Sequence, residues 1–98
     1  METNNKILKQ SYQQMLKRYT NEHSKAKDLI INVKSYRELQ KTLCYFGTIN
    51  EWQLHINTIE LNTLLLELED KRDLLMKAIE KTSRLLTDII LQENAATI

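Results

Sequence analysis

From Leu8 onward, apolar side chains recur at alternating steps of four and three residues. The ladder runs through Leu8, Tyr12, Met15, Tyr19, Glu22, Ala26, Leu29, Val33, Tyr36, Gln40 and Leu43. Only Glu22 and Gln40 break it, as polar layers in an otherwise apolar seam. That spacing returns to one face of a 3.6-residue helix and predicts an amphipathic helix with a coiled-coil-like seam. A second ladder runs through Leu54, Thr58, Leu61, Leu65, Leu68, Arg72, Leu75, Ile79, Thr82, Leu86 and Ile89. Ile56, Leu64, Leu74, Met76, Ala78, Leu85 and Ile90 widen the apolar face of this second helix beyond a narrow seam.

One stretch of the first ladder is weak. Ile30, Ile31, Asn32 and Val33 are poor helix formers, and Ser35 with Glu38 has the spacing of a capping box. The ladder stays in phase across this stretch, which favours one continuous helix over a break near Asn32.

Between the ladders the turn signals converge. Gly47, the only glycine in a chain without proline, fits the left-handed residue that ends a helix. Thr48 and Glu51 have capping-box spacing and are expected to open the next helix. A stop and a start this close bring the helices back antiparallel. Tyr45, Phe46 and Trp52 cluster around the turn and are expected to close the mouth of the hairpin.

The expected fold is therefore all-α. One domain spans residues 1–98: a helix over about 5–46 capped by Asn4 or Asn5, a turn at 47–48, a helix over about 49–92 and a frayed tail at 93–98. Helices of about 40 residues are on the order of 60 Å long. A lone pair cannot cover so wide an apolar stripe, which predicts a four-helix bundle or coiled coil with a partner or with a second copy. The residues expected to carry that contact are Leu61, Leu65, Leu68, Leu75, Ile79, Leu86 and Ile89.

Charge sharpens this picture. The net charge of +1 conceals a basic first half, with nine Lys/Arg against four Asp/Glu in residues 1–46. The second half is acidic, with five against nine in residues 47–98. Opposite signs suit two helices side by side, in one chain or between two. The lysines and arginines of the first half are interleaved with acids rather than gathered in a patch. Nucleic acid is therefore not an expected partner.

Chemistry is scarce. His23 and His55 have no ligand set at helical spacing beyond Glu51 beside His55, too few for a metal. Cys44 is alone, which excludes an internal disulfide, and beside the seam it reads as an inert thiol. The acids Glu67, Glu69 and Asp70 read as a solvated helix face, and paired catalytic carboxylates need a cleft that two helices do not form. No catalytic, cofactor-binding or metal-binding residue is assigned, and the chain is not expected to be an enzyme. The polar first fourteen residues and the shortness of every apolar run predict neither a secretory leader nor a membrane span. The expected compartment is the cytoplasm, with export by a leaderless route as the alternative.

Two long helices in about a hundred residues, turning on Tyr45, Phe46 and Gly47, resemble the small WXG-motif, ESAT-like proteins of type VII secretion. The resemblance rests on Tyr45, where that family has tryptophan, and on Gly47. It departs at the C-terminus, where no aromatic follows Trp52 and the family's aromatic-plus-acid export signal is missing. It implies a small secreted substrate, or a targeting partner whose mate carries the signal. Two other readings stay open: a cytoplasmic secretion chaperone of the type III or flagellar kind, and a structural coiled-coil adaptor subunit.

Overall fold

The computed structural model describes residues 2–96, and these form a helical hairpin with no strand among them. Helix α1 spans Glu2–Tyr45 and helix α2 spans Glu51–Ala96. Both helices outrun the sequence expectation at the chain ends and stop short of it at the turn, which covers residues 46–50 rather than 47–48. Asn4 and Asn5 lie inside α1 rather than capping it, and residues 93–96 continue α2. Thr97 and Ile98, the rest of the expected tail, lie outside the described residues. α1 passes through residues 30–33 without a break. Packing of the inward Ile30 and Val33 outweighs the weak helix propensity of this β-branched stretch.

The turn is built from two capping motifs in series. Gly47 takes φ +75°. The Thr48 amide donates to the Leu43 carbonyl at 2.9 Å, and the Gly47 amide donates to the Cys44 carbonyl at 3.0 Å. These are the two bonds of a Schellman motif, which satisfies the orphan carbonyls at the end of α1. α2 then starts two residues later than Thr48 would place it. Asn50 Oδ1 accepts from the Gln53 amide at 2.8 Å, and Gln53 Oε1 accepts from the Asn50 amide at 3.2 Å. The capping box is thus Asn50 with Gln53, not Thr48 with Glu51. The reason is local: the Thr48 amide is already bound to Leu43, and the Leu54 amide returns to Asn50 as the first helical bond.

The hairpin divides into two compact units. Ser24–Arg72 holds the turn, and Met1–His23 with Asp73–Ile98 holds the chain ends. In the turn unit, Ala26, Ile30, Gln40 and Leu65 are buried, with Val33, Arg37, Leu54, Thr58, Leu61 and Leu68 half-buried around them. Polar groups in this unit are joined across the helices. Asn57 Nδ2 donates to Gln40 Oε1 at 2.9 Å, and Arg37 Nη1 donates to Asn62 Oδ1 at 2.9 Å. Thr58 donates its hydroxyl to the Leu54 carbonyl one turn back at 2.7 Å, which lets a threonine sit in the seam.

In the unit of the chain ends, Thr82 and Ile89 are buried, and Tyr12, Leu16, Tyr19, Leu75, Ile79 and Leu86 are half-buried. Lys9 and Glu93 form an ion pair at 3.2 Å between its two strands of helix.

Every position of the α2 ladder, from Leu54 to Ile89, is buried or half-buried. The α1 ladder is different. Tyr12, Tyr19, Ala26, Val33 and Gln40 face inward as expected, but Leu8, Met15, Leu29 and Tyr36 are exposed. Their places on the inner face are taken one residue later by Lys9, Leu16, Ile30 and Arg37, with His23 and Cys44 in the same register. A two-helix pair has open edges, so long polar side chains such as Arg37 reach out while their stems pack. That tolerance moved the register away from the most apolar choice.

Candidate partner interface

The seven residues expected to meet a partner all lie on the inward seam of α2. Leu65 and Ile89 are buried within the hairpin, while Leu61, Leu68, Leu75, Ile79 and Leu86 are half-buried. The seam is thus occupied within the chain itself, and its half-buried members leave only an edge for further cover. The more exposed apolar surface lies elsewhere.

In the turn unit that surface is on α1. Leu29, Asn32, Tyr36, Leu39, Leu43 and Phe46 follow one another at steps of three and four residues, so they share one helix face. All are exposed except Leu43, which is half-buried. This outer seam lies roughly a third of a turn round α1 from the inward one. None of its six residues is charged, and Lys25 bounds it at the next position on the N-terminal side. α2 of the same unit exposes Ile59, Leu64 and Leu66, interspersed with Glu60, Glu67 and Lys71.

The aromatic residues of the turn do not close the hairpin. Tyr45, Phe46 and Trp52 are 85%, 74% and 70% exposed. The Schellman turn directs them away from the helix pair, while Ile49 between them is half-buried. Tyr45 and Phe46 meet edge to face, with ring centroids 5.2 Å apart, and Trp52 tilts against His55 at 6.1 Å. Of the turn residues expected from the sequence, Gly47 holds its predicted role. Tyr45 ends α1, Glu51 begins α2, and Thr48 completes the Schellman motif.

The unit of the chain ends has its own exposed apolar residues. Ile7, Leu8 and Met15 on α1 and Leu74, Met76, Leu85, Ile90 and Leu91 on α2 remain accessible.

Other chemistry is sparse in the structure. Cys44 and His23 are half-buried and His55 is exposed beside Trp52. Among the described residues, no group of three or more His, Cys, Asp or Glu side chains is placed to hold a metal ion. No buried side-chain polar atom among them lacks a hydrogen-bond partner. No helix of the described residues is long and apolar enough to cross a membrane. No protein-family profile, curated protein or solved structure matches the chain.

Proposed function

We propose that this chain is a non-catalytic interaction module that works by burying an exposed apolar helix face against the helices of a protein partner. The observation that carries the reading is the outer seam of α1, an uncharged and mostly apolar row at coiled-coil spacing that the hairpin leaves largely open. Helical pairing of this kind reads anchors at i, i+3, i+4 and i+7, and the seam supplies them in register. Its setting is a secretion system of the type VII kind, in which the resemblance through Tyr45 and Gly47 implies a small secreted substrate or a targeting partner. The high exposure of Tyr45 supports that part of the reading, because a recognition residue at the turn has to be reachable.

The test is affinity capture from the native cell with the intact chain, beside the same chain carrying Leu39→Asp. A stoichiometric helical partner lost with Leu39→Asp is the expected result, together with this protein in the culture medium or bound to an exported polypeptide. A light-scattering mass of one chain at micromolar concentration, with no stoichiometric partner captured, would overturn the reading. Capture of a filament subunit by a protein that stays in the cell would move the assignment to a secretion chaperone.

A further inference from the structure

We infer that the outer seam of α1 is completed by a second copy of this chain, its α1 lying parallel to the first over residues 29–46 so that both turns point the same way. The inference rests on the interaction-module reading and names its partner. Four features of the turn unit lead to it.

The first is spacing. Leu29, Asn32, Tyr36, Leu39, Leu43 and Phe46 repeat as alternating core positions of a coiled coil, and such a seam packs best against another helix by knobs into holes.

The second is charge. A seam containing no charged residue can face its own copy without bringing like charges together. The exposed apolar residues of α2 in this unit cannot, because Glu60, Glu67 and Lys71 sit among them. α1 is basic overall, but within residues 29–46 only Lys34, Arg37, Glu38 and Lys41 are charged, and none of them stands in the seam.

The third is Asn32, the one polar member of the seam. In a parallel pair related by a two-fold axis, each seam residue faces its own copy, so the Asn32 amide meets an amide that can donate and accept in return. In an antiparallel pair over the same residues, Asn32 falls opposite Leu43 and loses water without gaining a partner. The polar residue therefore selects the parallel register.

The fourth is surface. Leu29, Tyr36, Leu39 and Phe46 are 48%, 54%, 45% and 74% exposed, so the seam has apolar surface to bury.

Sedimentation equilibrium of the purified full chain gives the first readout, with a dimer expected at micromolar concentration. Leu39→Glu is expected to raise the dimer dissociation constant about 100-fold, since each copy loses a buried leucine. Leu39 is exposed in the hairpin, so the helical circular dichroism of that variant should match the parent and show that the fold is intact. Orientation is read by oxidation in a Cys44→Ser background. Leu29→Cys alone should cross-link to itself, and mixing it with Phe46→Cys should give no linkage between the two positions. A monomer throughout the concentration range, or a dimer unaffected by Leu39→Glu, overturns the inference. So does a 29-to-46 cross-link without the 29-to-29 one. If the pure chain is monomeric yet the seam still captures a different helical protein, the second copy is excluded while the interaction-module reading stands.

Discussion

The side-chain amide of Asn57 on α2 donates to the side-chain oxygen of Gln40 on α1 at 2.9 Å, and Gln40 is only 2% exposed. The pair ties the two helices of the turn unit by a side-chain hydrogen bond in a partly buried place. Truncating one member leaves the other unsatisfied in a partly buried place, whereas replacing both with apolar groups removes the penalty. Gln40→Ala is therefore expected to cost about 1–3 kcal/mol in urea unfolding. The double change Gln40→Leu with Asn57→Leu should return to within about 1 kcal/mol of the parent, with a coupling energy that reports the bond. Additive losses in that cycle would show that the contact contributes nothing.

The placement of the α2 cap makes a sharper prediction, because two candidate boxes stand side by side. Asn50 accepts from the Gln53 amide, so Asn50→Ala should lower stability by about 1 kcal/mol. In the Schellman motif Thr48 contributes only its backbone amide, which an alanine would keep, so Thr48→Ala should change stability by less than about 0.5 kcal/mol. Thermal melts of the two single variants decide between the boxes. A larger loss from Thr48→Ala would reverse the assignment.

The same pair of boxes shows what could and could not be read from the sequence. Thr48 with Glu51 and Asn50 with Gln53 both have the capping spacing, and local pattern alone does not rank them. Their order is decided by the Schellman bond from Thr48 to Leu43, which consumes the amide that Glu51 would need. The α2 seam was legible throughout because leucine or isoleucine stands at most of its positions, which leaves one register. The α1 seam was legible at Tyr12, Tyr19, Glu22, Ala26, Val33, Gln40 and Leu43, which are buried or half-buried. Between these anchors the apolar Met15, Leu29 and Tyr36 compete with Leu16, Ile30 and Arg37, and packing against α2 chose the latter. The outer seam follows from that choice. Its existence could not be inferred while Leu29, Tyr36 and Leu43 were assigned to the inside.

Gly47 isolates a backbone effect from a packing effect. A Cβ built on it would meet no atom within 4 Å, so added volume costs nothing there. Its φ of +75° is the whole constraint. Gly47→Ala is expected to destabilise by about 1–2 kcal/mol, the cost of a left-handed residue bearing a Cβ. Gly47→Asn should lose noticeably less, since asparagine tolerates that region. Equal losses from both substitutions in chemical denaturation would point to a packing role that the turn geometry does not contain.

Leu65 and Leu66 give the most direct measure of which face of α2 holds the hairpin together. They are neighbours in sequence with the same side chain, yet Leu65 is 5% exposed and Leu66 is 64% exposed. Leu65→Ala removes a buried isobutyl group from between the helices and should cost about 2–5 kcal/mol, the usual span for a core leucine left with a cavity. Leu66→Ala removes contacts mainly with solvent and should stay within about 0.5 kcal/mol in the single chain. Both variants keep a good helix former at the site, so helix propensity cancels in the comparison. Urea unfolding of the two proteins side by side reads the difference. Were Leu66→Ala the more damaging, the inward seam of α2 would have to be rotated by one residue and the α1 register would follow it.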